Sequence, residues 1–366
     1  MKIINTGSIY NLYPDDLKTF DQLPAKNYVV RFAKMTGFYL EEYSEINIKE
    51  KIYGVHMEKI NKVLIAFDKF ERNLGVILSG DKGIGKSLFA KLLAVEAVKN
   101  NIPVIVVDGF VPGIASFLES ITQEVMILFD EFDKTFGKSK NSDDNREDAQ
   151  VSMLSLFDGI SQGKKLFVIT CNELSGLNTF LINRPGRFHY HIRFDYPGDS
   201  GIEEYLKDKV EEKYWDQIPD VVAFSKKVNL NYDCLRSIAF ELNNGTSFKE
   251  AIKDLNIINI DNVKYKLVLH FKDTRVIATC INSLDLFNKT DEFDGYLKLN
   301  TGSYIHIKFD ISDCEFNDKM GWYVKGENII LNHDNDDDED DENIKNYIPD
   351  YLLLSRIKGK EYHYAV

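Results

Sequence analysis

Cysteine and long apolar runs are scarce in this sequence. Four of its 366 residues are cysteine, and they lie far apart, which favours reduced thiols over a disulfide framework or a metal centre. No stretch approaches the roughly 18 apolar residues that span a bilayer. Residues 1–10 lack the charged-then-apolar pattern of a secretion signal. We therefore expect a soluble, cytoplasmic protein with no membrane partner, from a bacterium or a phage-infected host.

An excess of basic residues is also lacking. Lysine and arginine number 45 against 58 aspartate and glutamate residues, so the formal net charge is −13. Residues 261–366 hold 13 of the basic and 21 of the acidic residues. This balance disfavours a protein that is held to nucleic acid mainly by charge, although an acidic exterior is compatible with a basic pore.

Short apolar runs alternate with helical stretches between residues 74 and 196. Such runs are typical of strands buried on both faces of a parallel sheet. The pattern predicts an α/β domain in which helices flank a five-stranded parallel sheet. The five strands contain the runs Val76–Leu78, Val104–Val107, Val125–Phe129, Leu166–Ile169 and His191–Phe194.

The flanking regions have other patterns. Asn27–Ala33 and Phe38–Tyr43 surround a glycine-containing turn and predict a β-hairpin, whereas alternation at period two after Val263 predicts strands. We thus predict an N-terminal extension with a hairpin (1–52), an α/β domain (53–199), a helical lid (200–260) and a small β-rich domain (261–366). Residues 334–342 include eight acidic side chains and predict a solvated loop.

Residues 80–87 match the eight-position phosphate-loop motif, directly after a predicted strand and before a predicted helix. In this motif backbone N–H groups surround the phosphates, the lysine neutralises their oxygens and the hydroxyl binds Mg²⁺. The sequence therefore predicts a nucleotide and Mg²⁺ here. The residues are Gly80, Asp81, Lys82, Gly83, Ile84, Gly85, Lys86 and Ser87, with Leu88 next in the helix.

Two carboxylates follow the third predicted strand of this sheet. Asp130 and Glu131 come directly after Val125–Phe129. Ligands of open α/β sheets bind beyond the carboxyl ends of the strands, so both side chains are expected beside the phosphate loop. We predict that Asp130 holds Mg²⁺ through water and that Glu131 is the general base for the attacking water.

Four segments together resemble the AAA proteins within the AAA+ superfamily of phosphate-loop ATPases. They are Asp130–Asp133, Leu156–Gly159, Thr170–Asn172 and Asn183–Phe188, in the family's order. The resemblance covers roughly residues 50–257 and explains neither end of the chain. It implies an ATPase that uses ATP and Mg²⁺, with the β-rich C-terminal region as an addition to the family's fold.

The resemblance also implies roles for three further residues. Asn172 matches the polar residue that the family calls sensor 1, which helps to orient the hydrolytic water. Arg184 and Arg187 match paired arginines that reach the nucleotide of a neighbouring subunit. A homo-oligomeric ring, with six subunits as the expected number, would then be the active unit.

Other matches are weaker and stay open. Tyr53 and Gly54 occupy the place of an adenine-contacting linker, and Arg236 resembles the sensor 2 arginine of other AAA+ branches. An ordinary surface position for Arg236 is nearly as compatible with the sequence. Phe110 either projects into a central pore or packs beneath its loop.

The expected function is ATP hydrolysis coupled to remodelling of a protein client. One alternative is a DNA-associated ATPase of replication or packaging, which salt-dependent stimulation by DNA would reveal. Another is an assembly scaffold that nucleotide locks, with slow turnover. Glu131, Asn172 and Arg184 argue against a catalytically dead version.

Overall fold

The computed structural model describes residues 1–43, 56–137, 149–158, 163–257, 263–272, 275–286, 290–317, 320–332 and 347–357. The chain divides into two compact units, Met1–Leu255 and Asn256–Val366. Tyr53, Gly54, Gly159 and the acidic run 334–342 lie outside the described residues. No helix within the described ranges combines the length and the apolar character needed to cross a membrane.

The first unit contains nine strands and ten α-helices in its described residues. The strands are β1 (Lys2–Thr6), β2 (Ile9–Tyr13), β3 (Asn27–Ala33), β4 (Gly37–Glu42), β5 (Leu74–Ser79), β6 (Val104–Val107), β7 (Val125–Phe129), β8 (Lys165–Cys171) and β9 (Tyr190–Arg193). The helices are α1 (His56–Lys69), α2 (Lys86–Lys99), α3 (Ile114–Glu119), α4 (Phe132–Thr135), α5 (Ala149–Ser152), α6 (Leu154–Phe157), α7 (Asp199–Lys209), α8 (Ile218–Ser225), α9 (Tyr232–Asn243) and α10 (Phe248–Asp254).

The main sheet of this unit has seven strands in the order β4-β3-β6-β7-β8-β5-β9. All five predicted strands are present and parallel, which confirms the α/β fold class. The sheet is wider than predicted because the N-terminal hairpin joins it: Asn27–Val29 of β3 pair in parallel with Val104–Val106 of β6. Strand β4 closes this edge in an antiparallel pair with β3.

The central strands are apolar throughout because both faces of the sheet are covered. Every residue of β5, β7 and β8 is buried. One face packs against residues of α1 and α2, including Phe67 and Phe89. The other face packs against the segments around α3 to α6, and Phe129 of β7 forms an aromatic cluster with Phe132 and Phe157 of these segments. This packing holds the strand ends, and the polar residues that follow them, in fixed positions.

The second unit is a single antiparallel sheet of eight strands in its described residues. The order is β14-β15-β17-β10-β11-β12-β13-β16. Buried and exposed residues alternate along β12 and β13, so one face forms the unit's core and the other faces solvent. The strands are β10 (Val263–Phe271), β11 (Ile277–Leu284), β12 (Glu292–Leu299), β13 (Tyr304–Asp310), β14 (Glu315–Asn317), β15 (Gly321–Lys325), β16 (Ile330–Asn332) and β17 (Pro349–Arg356).

Candidate functional site

The phosphate-loop motif forms the turn between β5 and α2. Gly83 and Gly85 have φ angles of 73° and 98°, in the left-handed region that favours glycine. A Cβ atom on Gly83 would lie 2.6 Å from the Asn231 amide and 2.8 Å from the Asp233 carboxylate. The loop is therefore closely packed against α9 as well as against its own sheet.

Lys86, the first residue of α2, is a buried cation. It is only 7% exposed, and its Nζ donates to the carbonyl oxygens of Gly80 (2.6 Å) and Asp81 (2.5 Å) and to Asn172 Oδ1 (3.1 Å). Burial lowers the pKa of this ammonium, because desolvation outweighs the attraction of the carboxylates around it. Lys86 makes no salt bridge with any described residue, so the site fits an anion such as a phosphate group.

Ser87, in the first turn of α2, lies close to Asp130, which directly follows β7. The Ser87 hydroxyl lies 3.3 Å from Asp130 Oδ1, and the same oxygen accepts a 2.6 Å hydrogen bond from Thr170. A hydroxyl and a carboxylate beside a phosphate-loop lysine are the oxygen ligands that Mg²⁺ takes, directly or through water. The two residues predicted to hold Mg²⁺ thus fit that ion.

Glu131 lies at the same edge in an unusual backbone conformation. Its φ of 49° is left-handed although the residue has a Cβ atom, and its N–H donates to the Thr170 hydroxyl at 2.8 Å. About half of its side chain is exposed, and its carboxylate pairs with Lys134 on α4. The Glu131 side chain is therefore accessible to a reactant at this edge, while a hydrogen bond to Thr170 of β8 holds its backbone.

Asn172 connects the lysine and the acidic strand end. Its side chain accepts from Lys86, while its own backbone N–H donates to Asp133 Oδ2 at 3.0 Å. Asp133 also accepts from Glu173 at 3.4 Å. Asp133 positions the segment that holds Asn172, a role that the sequence did not reveal although Asp133 belongs to the recognised motif.

The two predicted arginines have different environments. Arg187 is buried; its guanidinium forms a two-pronged pair with Asp158 and donates to the Phe180 carbonyl at 2.7 Å. Arg184 is exposed, and its guanidinium lies 5.6 Å from the Phe180 ring centre. Arg187 is thus engaged within its own chain, which differs from the expectation that both arginines reach a neighbour.

Helix α9 contacts the phosphate loop directly. Asn231 caps the helix by accepting from the Cys234 N–H at 2.8 Å, and its amide donates to the Lys82 carbonyl at 3.1 Å. The Tyr232 N–H donates to the Gly83 carbonyl at 3.0 Å. Arg236, the sequence-based candidate for a nucleotide contact on this helix, pairs with Asp233 of the same helix at 3.6 Å. Asn231 was missed; its only sequence signal is a residue type that favours helix starts.

Phe110 packs under its loop rather than projecting from it. The side chain is half-buried, and its ring lies 5.6 Å from that of Phe136 in an edge-to-face arrangement. The hairpin contacts this loop and the helix after it, since Arg31 donates to Asp108 at 2.8 Å and Phe38 of β4 stacks on Phe117 of α3. Of the two alternatives left open for Phe110, the structure shows the packed one.

A glycine-rich turn around a buried lysine, a carboxylate beside the first helical hydroxyl and a second carboxylate next to it define the class of phosphate-loop nucleoside triphosphatases. The comparison with protein families is more specific. Residues 76–196 match the model of the "ATPase family associated with various cellular activities (AAA)". This part of the chain is an AAA ATPase domain of the AAA+ superfamily.

The chain is similar to curated proteins whose names describe proteases or protease components. The chain is 30% identical over 156 residues to ATP-dependent zinc metalloprotease FtsH 2 of Salinibacter ruber, covering 38% of this chain and 22% of the relative. It is 28% identical over 217 residues to FtsH of Bacillus subtilis, covering 52% and 33%. For the yeast m-AAA protease component YTA10 of Saccharomyces cerevisiae the identity is 30% over 149 residues, covering 36% and 19%. The chain spans about a fifth to a third of their lengths.

Proposed function

We propose that this chain hydrolyses ATP in a ring of identical subunits and uses the cycle to remodel a protein client. The main support is Lys86, a buried cation that has three neutral oxygen partners and no carboxylate partner among the described residues. A nucleotide phosphate would supply the missing negative charge. The matched AAA domain, residues 76–196, contains this lysine and all the acidic residues around it.

In the proposed site, the backbone of residues 80–88 surrounds the phosphates and Lys86 faces their oxygens. Ser87 and Asp130 would hold Mg²⁺, which would supply positive charge beside the transferred phosphoryl group. Glu131 accepts a proton from the attacking water, and the amide of Asn172 orients that water. Since the reaction needs little covalent help from the protein, positioning and charge account for the catalysis.

Arg184 is the residue we assign to the neighbouring subunit's nucleotide. It is exposed, and it makes no salt bridge within the described part of the chain. A planar guanidinium suits the charge that develops on a transferring phosphoryl group. A ring of six would place one Arg184 at each nucleotide, and Arg187 would support the same segment from inside.

The protein client is inferred from the FtsH relatives, whose names describe ATP-dependent proteases. The protease activity is not carried over to this chain, because the family match covers only the AAA domain, residues 76–196. Stimulation of turnover by an unfolded protein would support this client class. Stimulation by DNA that weakens with salt would replace it with the DNA-associated alternative.

The deciding experiment is ATP turnover per subunit across a protein dilution series, with Glu131→Gln as the inactive variant. We expect the rate per subunit to rise with concentration as rings assemble, and to fall about 10² to 10⁴-fold in the variant while nucleotide still binds. Glu292→Gln, an exposed carboxylate of β12 in the second unit, is the matched control and should turn over ATP normally. Equal turnover in wild type and Glu131→Gln would refute the proposed function.

A further inference from the structure

Thr170 is a buried hydroxyl between the two acidic residues of the site. It lies on β8 and is 1% exposed. Its Oγ1 donates to Asp130 Oδ1 at 2.6 Å and accepts the backbone N–H of Glu131 at 2.8 Å. One hydroxyl therefore donates to Asp130 and accepts from Glu131, the two residues that directly follow β7.

The first of these bonds fixes the Asp130 carboxylate. Oδ1 accepts hydrogen bonds from the hydroxyls of Thr170 at 2.6 Å and Ser87 at 3.3 Å, whereas no described residue donates to Oδ2. A carboxylate that is held through one oxygen presents the other in a defined direction. Oδ2 is thereby left available for a water molecule of a bound Mg²⁺.

The second bond holds the Glu131 backbone. A left-handed φ of 49° is costly for a residue with a Cβ atom and persists only where neighbouring groups maintain it. The Thr170 hydroxyl accepts the N–H of that residue, so its loss would leave a partly buried donor without a partner. The direction in which the Glu131 side chain leaves the backbone depends on this conformation.

We propose that Thr170 is a positioning residue, which aligns Asp130 for the metal and Glu131 for the attacking water through a single hydroxyl. This rests on the proposed ATPase function. Thr170 lies near the end of β8 and Asn172 directly follows this strand, so both residues come from the same strand end. Asn172 contacts Lys86, and Thr170 contacts the acidic pair.

The test replaces Thr170 with valine, which keeps the shape and removes the hydroxyl, and with serine, which keeps the hydroxyl. Mn²⁺ serves as the metal probe, titrated by electron paramagnetic resonance in the presence of a non-hydrolysable ATP analogue. For Thr170→Val we expect the affinity for Mn²⁺ to fall by about tenfold or more, as for a lost hydrogen bond to a charged group. We expect kcat to fall by a comparable factor. Thr170→Ser should restore both, and affinity for the metal-free analogue should be unchanged in either variant.

Ile169→Val is the matched control, because it loosens the same buried strand without touching the acidic pair. It should lower thermal stability and leave Mn²⁺ affinity unchanged. The proposal is overturned if Thr170→Val binds Mn²⁺ as tightly as wild type, or if Ile169→Val weakens Mn²⁺ binding equally. A wild-type chain that bound Mn²⁺ and the analogue but hydrolysed no ATP would refute the proposed function, and the Mn²⁺ titrations would still decide the role of Thr170.

Discussion

The buried Lys86 of the first unit and two surface lysines of the second have opposite electrostatic environments. In the second unit, Lys308 and Lys325 lie at the sheet surface and pair with Glu292 (2.9 Å) and Glu315 (2.7 Å). Hydrogen bonds to those carboxylates raise the pKa of both lysines. In the first unit, Lys86 is buried among neutral oxygens and burial lowers its pKa.

The difference is whether the lysine already has a carboxylate counter-charge. The lysines of the second unit already have their counter-charges, so a further anion would gain little there. Lys86 is a desolvated cation whose free energy improves when an anion binds next to it. The contrast is the reason why we assign the nucleotide to the sheet edge of the first unit rather than to the charged face of the second.

The arginines of residues 183–188 show the same contrast and give the largest predicted effect. Arg184→Ala should lower turnover by about 10³ to 10⁵-fold if it completes a neighbour's site. Mixing Arg184→Ala with Glu131→Gln should restore activity to about a quarter of the wild-type rate, because random pairing joins an intact Glu131 to a neighbour's intact Arg184. The measurement compares the rate of ATP turnover by the mixture with the rates of the two variants alone.

Arg72→Ala is the matched control for Arg184, since Arg72 is also exposed and lies 5.9 Å from an aromatic ring centre, that of Phe70. It should hydrolyse ATP normally. If mixed oligomers form and the mixture stays inactive, Arg184 does not act between subunits. In that case the unpaired arginine would be a surface residue like any other.

How far the sequence predicts this site depends on the kind of interaction. The phosphate loop and Asp130 were predictable because apolar runs such as Val125–Phe129 identify buried strands, and polar residues after parallel strands gather at one sheet edge. The lysine's position in the motif predicted its chemistry, and the fold class followed from the same runs. These features depend on local pattern.

Contacts between distant segments were not predictable in this way. Asn231 bonds the carbonyl of Lys82 across 149 residues of chain, and Asp158 pairs with Arg187 rather than leaving it for a neighbour. Likewise, the hairpin was predicted, but its pairing with Val104–Val106 was not. Tertiary packing determines the partner of a side chain or of an edge strand. A single sequence does not show this packing directly.

Arg187→Ala is expected to act on stability. Removing one partner of a mostly buried, two-pronged ion pair should cost about 2 kcal/mol, less than for a fully buried pair because Asp158 is partly exposed. Hydrogen exchange of β8 amides should therefore speed up while that of β10 amides, in the other unit, does not change. Arg184→Ala should leave β8 exchange unchanged, and equal effects of the two variants would remove the distinction between them.

The smallest predicted effect is a pH dependence that belongs to Lys86. An ammonium whose pKa is lowered by burial loses its proton below the ordinary value of 10.5, and a bound phosphate favours the charged form. Affinity for the ATP analogue should thus be level at neutral pH and fall as pH rises through the lowered pKa, by up to about tenfold per pH unit for one proton taken up on binding. Isothermal titration between pH 7 and 10.5 measures this.

Lys308→Ala tests whether the decline belongs to the buried lysine. Because Lys308 is paired at the surface of the other unit and its pKa is raised, removing it should leave the profile of analogue affinity against pH unchanged. A wild-type profile that stays level up to pH 10.5 would mean that Lys86 keeps its proton throughout that range. The lysine would then already be satisfied by the oxygens of Gly80, Asp81 and Asn172, and the contrast between Lys86 and the surface lysines would fail.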